Sequence, residues 1–229
     1  MEMRNLAVVA IALLVMANGS VVWAEQWVPS GLAALIVATL PFWMAGFEAA
    51  LPSGNKLTLR KVSGIIIGFA GLVILFAPEL KNSFDMAYFK GILALLFSPF
   101  SWAAGSIYSK YKPVQTHPLM AAAFQMLIAG LILVVAGAFL GEFHRFDMDI
   151  QGIAALAYLV IFGSLVGYGS FVYALAKLPA TKVSMYAYIN PVIAVLLGWL
   201  ILGERMDWMV VSSTVIVLFG VVLVKASRP

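Results

Sequence analysis

SVVWAEQWVPSG, at residues 20–31, is repeated in outline by SFVYALAKLPAT, at residues 170–181. A constant shift of 150 residues pairs Gly19, Ser20, Val22, Ala24, Pro29 and Pro41 with Gly169, Ser170, Val172, Ala174, Pro179 and Pro191. A shift of 149 pairs residues 62–73 with residues 211–222 at five further positions. The sequence therefore indicates an internal repeat. The two copies differ in charge at their centre, where the first has Glu25 and Gln26 and the second has two apolar residues followed by Lys177.

Long apolar segments fill the rest of the chain. The 229 residues are 63% hydrophobic and 10% charged, whereas about 25% of the residues of a soluble domain are charged. About 20 apolar helical residues cross the ~30 Å hydrocarbon layer of a bilayer, and a membrane barrel would need alternating runs instead. The sequence therefore predicts an all-α polytopic membrane protein with eight transmembrane helices, at about 6–24, 30–51, 62–78, 89–109, 118–140, 152–175, 180–202 and 208–225.

Lysine and arginine are distributed unevenly between the predicted loops. Cytoplasmic loops are enriched in these residues, and this asymmetry sets the orientation of the chain in the membrane. Ten of the fourteen basic residues fall on the side of the N-terminus, and the other four are Lys81, Lys90, Arg145 and Arg205. We therefore expect both termini to be cytoplasmic, and the net charge of +4 to reflect topology and not a nucleic-acid partner.

The two copies of the repeat are expected to run in opposite directions through the membrane, because they lie five spans apart. The loop around Glu25 then faces outside, and the loop around Lys177 faces inside, where positive charge is favoured. Inverted repeats are typical of secondary transporters, whose substrate site lies near the membrane midplane between the repeats. A duplication that is retained only for folding is the alternative.

The repeat divides the chain into two unequal units. Residues 1–80 form a partial first unit of three helices, and residues 88–226 form a complete second unit of five helices. By symmetry, the first unit is truncated by two helices that would precede Met1. A fragment, a misplaced start codon and a real short form are all left open as explanations.

Three stretches of the sequence carry a resemblance to a known family. NGSVVWAEQWVPSGLAALIVATLP (18–41) resembles two helices of the first EamA unit, and SPFSWAAGSIYSKY (98–111) resembles the opening helix of the second unit. YAYINPVIAVLLGWLILGER (186–205) resembles the fourth helix of that unit, including its terminal Gly-Glu-Arg. The chain thus resembles an EamA-type permease of the drug/metabolite transporter superfamily, in its YedA-like branch. It departs from that pattern by lacking the first two helices and by having Ser53, Gly54 and Asn55 in place of the first Gly-Glu-Arg.

The resemblance implies ten helices in two inverted units around a central cavity, and a location in a bacterial inner membrane. We therefore expect a secondary transporter that exports small metabolites or drugs by alternating access. The family's opening helix helps to line the cavity. The alternative is therefore a truncated, non-transporting membrane protein, or a helical subunit that a partner chain completes.

Neutral polar residues within the apolar spans are the first candidates for a substrate site. An unpaired amide inside a membrane protein costs roughly 2–7 kcal/mol, so Asn18, Gln125 and Asn190 must bond to protein, water or cargo. Helix breaks are predicted at Pro41 and Pro191, because proline lacks the backbone donor of a helix interior. Asn190 precedes Pro191 and is the strongest single candidate, with ordinary interhelical hydrogen bonds as the alternative.

Aromatic residues lie near these amides in the sequence. The predicted cavity lining adds Trp23, Trp102, Tyr168 and Tyr186, whose rings would stack on flat or amphipathic cargo. It also includes Ser106, one turn of the helix beyond Trp102. Tyr186 and Asn190 are four residues apart and therefore share a helix face. Packing, or a place in the aromatic belt at the membrane surface, is the alternative for each ring.

Two carboxylates are candidates for coupling or gating. Glu48 lies within a predicted span, where an ionisable group is costly and is a functional candidate. The alternative is a position near the cytoplasmic end, where water or Lys56 reaches it. Glu25 lies beside Trp23 and either gates substrate entry or belongs to the interfacial belt.

The sequence gives little support for an enzyme. His117 and His144 fall near opposite sides of the membrane, and the chain has no cysteine. No spacing of a metal site or of a phosphate-binding loop occurs, and solvation explains the loop with Glu142, His144 and Asp147. We expect no catalytic residue, no metal and no cofactor. The expected partners are membrane lipid and an unknown small organic solute, self-association is left open, and nucleic acid is not expected.

Overall fold

The structure is a computed structural model, and it describes residues 2–51, 57–76, 86–142, 149–202 and 208–226. Within these ranges every regular element is a helix. In chain order they are α1 (Glu2–Ala24), α2 in two pieces (Ser30–Val37 and Leu40–Ala50), α3 (Leu59–Phe76), α4 (Met86–Tyr111), α5 (Pro118–Phe139), α6 (Ile150–Lys177), α7 in two pieces (Ala180–Val183 and Tyr186–Leu202) and α8 (Trp208–Ala226).

The predicted fold class is confirmed at the level of an all-helical membrane protein. Among the described residues, α1, α2, α4, α5, α6 and α8 are long and apolar enough to cross a membrane. The helices α3 and α7 coincide with the two other predicted spans, and the total of eight transmembrane helices stays a prediction. Residues 53–56, His144, Asp147 and the Gly-Glu-Arg motif at 203–205 lie outside the described residues.

Repeat-related positions share unusual local geometry. A π-helical segment occurs at Ile11–Asn18 in α1 and at Leu159–Tyr168 in α6, and each ends directly before a Gly-Ser pair. Such segments are rare and are often found at functional sites. Pro29 and Pro179 then precede the next helices with matching backbone angles, φ −56°, ψ 141° and φ −56°, ψ 139°. These features agree with an internal repeat, while the opposite direction of the copies stays a prediction.

The helices α3 and α8, which the predicted repeat also relates, pack against each other through glycine. A Cβ atom built at Gly220 would collide with the backbone nitrogen of Gly68 and would lie 2.6 Å from the carbonyl oxygen of Gly64. Small residues allow helix backbones in a membrane to approach this closely. The glycines of α3 and α8 thus serve close helix packing. In α6, by contrast, Gly163 and Gly167 meet only atoms of α6 itself, and Gly169 faces the side chain of Leu119 in α5.

The interruptions of α2 and α7 differ in their relation to proline. The interruption of α2 lies at residues 38–39, directly before the piece that carries Pro41 in its first turn. Pro191 differs from the prediction, because it lies inside the piece Tyr186–Leu202 and the interruption comes earlier, at residues 184–185. A helix can accommodate an interior proline at the cost of one backbone hydrogen bond and a bend.

Candidate substrate cavity

A cavity of about 860 Å³ lies between α1, α4, α5, α6 and α7. Its volume is within the range of about 300–1,000 Å³ that small-molecule sites occupy. Five of the seven predicted substrate-binding residues line it, namely Asn18, Trp102, Tyr168, Tyr186 and Asn190. The folded chain thus brings together residues that lie up to 172 positions apart in the sequence. Their contact with a substrate stays a prediction.

Two side-chain amides face this cavity. Asn18 ends the π-helical segment of α1, and Asn190 lies in α7 directly before Pro191. Both side chains are exposed, and neither has a hydrogen-bond partner within the described parts of the chain. Each amide offers two donor hydrogens and one acceptor oxygen. The two residues therefore bring unsatisfied hydrogen-bonding capacity to an otherwise apolar space.

Aromatic rings form one wall of the cavity. The ring of Trp102 lies 5.2 Å from that of Phe171 and 6.2 Å from that of Tyr168, measured between centroids, and Tyr186 lies 5.6 Å from Phe171. Tilted and edge-to-face contacts of this kind are favourable for aromatic pairs. The Nε1 atom of Trp102 is buried and has no hydrogen-bond partner among the described residues. This wall therefore contains an unused donor.

A buried hydrogen bond separates this cavity from a smaller one. The hydroxyl of Tyr168 donates to Oε1 of Gln125 at 2.6 Å. Tyr168 lines the larger cavity, and Gln125 lines a second cavity of about 260 Å³ that also includes Lys110. Gln125, which the sequence suggested as a polar candidate, thus bonds to protein and not into the larger cavity. The Tyr168–Gln125 pair forms part of the partition between the two spaces.

Glu48 is buried against the start of α7. Its carboxylate accepts hydrogen bonds from the backbone N–H of Ala180 at 3.2 Å and of Thr181 at 3.1 Å, and from the hydroxyl of Thr181. A helix N-terminus favours an anion, because its first N–H groups lack partners within the helix. Glu48 is only 5% exposed, so protein groups surround its carboxylate. Lys56, the other group in the alternative for Glu48, lies outside the described residues, and the role of Glu48 stays a prediction.

Lys110 supplies the opposite charge at the same end of the bundle. Its Nζ donates to the carbonyl oxygens of Leu175 at 2.8 Å and Leu178 at 2.7 Å, where α6 ends. A cation is favoured at a helix C-terminus, and Lys110 also interacts electrostatically with Glu48. The turn between α6 and α7 is therefore held by a cation from α4 at one side and an anion from α2 at the other.

The structure places the remaining predicted residues outside the cavity. Ser106 is fully buried, and its hydroxyl donates to the carbonyl oxygen of Trp102 at 2.6 Å. The hydrogen-bond donor of Ser106 is thus satisfied within α4. Trp23 is exposed, packs against Trp27 with centroids 4.7 Å apart, and lines a neighbouring groove of about 840 Å³. Glu25 is exposed at the end of α1. The groove shares Asn18 with the cavity and extends to Glu142.

Sequence reasoning missed four residues of this region: Tyr158, Phe162 and Phe171, which line the cavity, and Lys110. The aromatic residues of α6 gave a usable signal, because Tyr158 and Phe162 are four residues apart and Tyr168 and Phe171 are three apart, which places each pair on one helix face. Lys110 gave no such signal, because a lysine near the end of a membrane helix is also explained by the enrichment of basic residues on the cytoplasmic side.

Comparisons with known proteins agree with this arrangement. Residues 89–226 match the model of the EamA-like transporter family. The chain is 34% identical over 228 residues to "Uncharacterized inner membrane transporter YedA" of Escherichia coli (strain K12), covering 98% of this chain and 71% of the relative. It is 25% identical over 199 residues to "Uncharacterized transporter YvbV" of Bacillus subtilis (strain 168), covering 87% of this chain and 64% of that relative.

A solved crystal structure shares the fold. It superposes with a TM-score of 0.78 at 20% sequence identity, and the match covers 96% of this chain and 76% of the other.

Proposed function

Because this chain belongs to the EamA-like transporter family, we propose that it is a secondary transporter which exports small metabolites or drugs across the inner membrane by alternating access. One observation carries this proposal. The cavity lies between α1 of the first predicted unit and α4, α6 and α7 of the second, and the unbonded amides of Asn18 and Asn190 come from different units. A site between two units can open to either side when one unit moves against the other.

The proposed orientation places both termini in the cytoplasm. Glu48, Lys110 and the start of α7 then lie at the cytoplasmic end, where their contacts close the bundle. The groove from Asn18 to Glu142 leads from the cavity towards the outer end. We assign this structure to an outward-facing state, in which the Glu48 contact and the Tyr168–Gln125 bond keep the inner side closed.

Glu48 is proposed to gate the inward-facing state. Loss of its negative charge would remove the attraction to the N–H groups at the start of α7. The piece Ala180–Val183 could then move away from α2 and open the cytoplasmic end. Glu25, exposed at the outer end of α1, is proposed to act at the outer entrance and not within the cavity.

The test is transport by the purified chain in liposomes. A panel of radiolabelled amino acids, nucleobases and cationic drugs should show protein-dependent flux of at least one solute, and liposomes without protein give the background. Asn190→Leu should lower that flux at least tenfold. Absence of protein-dependent flux for every member of the panel would remove the transport proposal.

A second candidate function is a helical subunit that a partner chain completes. The observation in its favour is the surface of α6, because none of the side chains of residues 150–167 is buried. Flux by the purified chain alone would rule this candidate out. A chain that folds and melts cooperatively, yet carries out no flux, would favour it over the transporter proposal.

A further inference from the structure

We infer that the cavity selects uncharged solutes that combine a flat ring with a hydrogen-bond acceptor. This inference rests on the proposed transport function and specifies the substrate class of the same site. It comes from three independent properties of the cavity wall: its lack of charge, its rings and its unused donors.

The wall offers no counterion to a charged solute. Among the described residues that line the cavity, none is lysine, arginine, histidine, aspartate or glutamate. Moving an ion from water into a protein interior is expensive unless a group of opposite charge meets it. Glu48 and Lys110 could act as such groups, but both are engaged by helix ends. A solute without net charge avoids this cost.

The rings of the wall favour a flat solute. Trp102, Tyr168, Phe171 and Tyr186 pack against one another with centroids 5.2–6.2 Å apart, and Tyr158 and Phe162 form a second pair at 5.0 Å. Aromatic faces and edges give favourable contacts to a further ring at such distances. Aromatic rings also attract cations, so a flat cation is the main competing solute that the test must include.

The donors of the wall favour an acceptor on that ring. The indole N–H of Trp102 can only donate, and it is buried without a partner among the described residues. Because this atom is shielded from the cavity in the structure, a carbonyl oxygen or ring nitrogen of the solute would satisfy it once the indole ring turns towards the cavity. The amides of Asn18 and Asn190 can donate and accept, so they can pair with a solute that presents both kinds of group. Amide-like heterocycles, such as pyrimidine bases, have this combination.

The first experiment measures the binding of matched solutes to the 229-residue chain purified in detergent. Uracil is compared with orotate, which has the same ring and a carboxylate, and with dihydrouracil, which has the same polar groups on a puckered ring. Nicotinamide is compared with the flat cation 1-methylnicotinamide. We expect uracil and nicotinamide each to bind at least tenfold more tightly than their charged counterparts, and uracil at least threefold more tightly than dihydrouracil.

The second experiment changes the donor. Trp102→Phe keeps an aromatic ring and removes the N–H group, and it should weaken uracil binding at least fivefold. Trp208→Phe is the control, because Trp208 is 82% exposed at the start of α8 and lies outside the cavity. Thermal unfolding of both variants checks their folding, and the comparison of matched solutes on the unchanged protein does not depend on either variant.

Each outcome decides the inference. Equal or tighter binding of orotate or of 1-methylnicotinamide would overturn it, as would flux of other solutes in liposomes without binding of any of these probes. The transporter proposal would stand in each of these cases as long as the liposome assay shows protein-dependent flux of any solute. If no solute binds and none is moved, both proposals fall.

Discussion

At the residue scale, the carboxylate of Glu48 joins α2 to the start of α7. It accepts three hydrogen bonds from Ala180 and Thr181 in a place with almost no exposure. Two of the donors are backbone N–H groups 132 and 133 residues away in the sequence. No side-chain pattern marks such donors. The sequence could therefore single out Glu48 as a costly buried group, yet it could not predict the partner.

Glu48→Gln is expected to destabilise the protein by about 1.5–3 kcal/mol, the contribution of hydrogen bonds to a charged group. The amide nitrogen cannot accept from the N–H groups of Ala180 and Thr181, and the negative charge at the helix start is lost. Thermal unfolding in detergent measures the effect. Glu25→Gln is the matched control, because Glu25 is exposed. Equal unfolding midpoints for the two variants would show that the Glu48 contact does not stabilise the packing of α2 against the start of α7.

Tyr168→Phe is expected to destabilise the protein by about 1–3 kcal/mol, because the buried Oε1 of Gln125 loses its donor. Tyr173→Phe, at an exposed position of the same helix, is the control. A double-mutant cycle with Gln125→Leu should give a coupling energy of at least about 0.5 kcal/mol. Additive effects of the two changes would contradict the partition described for the two cavities.

At the element scale, the close crossing of α3 and α8 depends on Gly220. Gly220→Ala should destabilise the protein by about 1–3 kcal/mol, because the added methyl group meets rigid backbone atoms of α3. Gly130→Ala is the matched control, since a Cβ atom at Gly130 meets nothing within 4 Å. Gly130→Ala should be neutral or stabilise by up to about 1 kcal/mol through helix propensity. A neutral Gly220→Ala variant would refute the tight crossing.

The sequence predicts where helices run better than how they are interrupted. The span predicted at 118–140 corresponds to α5, Pro118–Phe139, because His117 and Pro118 form a helix start and the residues that follow are apolar except for Gln125. The interruption of α7 was not predictable from Pro191, because a membrane helix can keep an interior proline where neighbouring groups satisfy the freed backbone carbonyl. The π-helical segments of α1 and α6 also lack a signal in hydropathy, since they contain the same apolar residues as a regular helix.

At the scale of the whole molecule, the proposed inverted repeat makes a prediction about sidedness. The chain has no cysteine, so single cysteines can be introduced without background labelling. A membrane-impermeant thiol reagent added to intact cells should label the Glu25→Cys variant and should leave the Lys177→Cys variant unlabelled. Labelling of both positions from outside, or of both only after lysis, would place them on the same side and would contradict the inverted repeat.

The sequence also predicts the character of the cavity better than its exact wall. A polar group within an apolar span is costly unless it finds a hydrogen-bond partner, and aromatic rings offer favourable contacts to another ring. These two arguments identified the residues that line the cavity: Asn18, Trp102, Tyr168, Tyr186 and Asn190. Ser106 lies outside the cavity in this structure, because its hydroxyl is satisfied by a carbonyl oxygen of its own helix. The sequence does not distinguish this contact from exposure to a cavity.

The central claim is that this cavity opens alternately to both sides of the membrane. The most direct measurement is labelling of the Ser170→Cys variant in right-side-out and inside-out vesicles, because Ser170 lines the cavity and the substitution is small. Ser106→Cys is the control, since position 106 is fully buried. Alternating access predicts that an impermeant reagent reaches the cysteine at position 170 from either side, while the Ser106→Cys variant stays unlabelled. Reaction from one side only, under every condition, would contradict the claim.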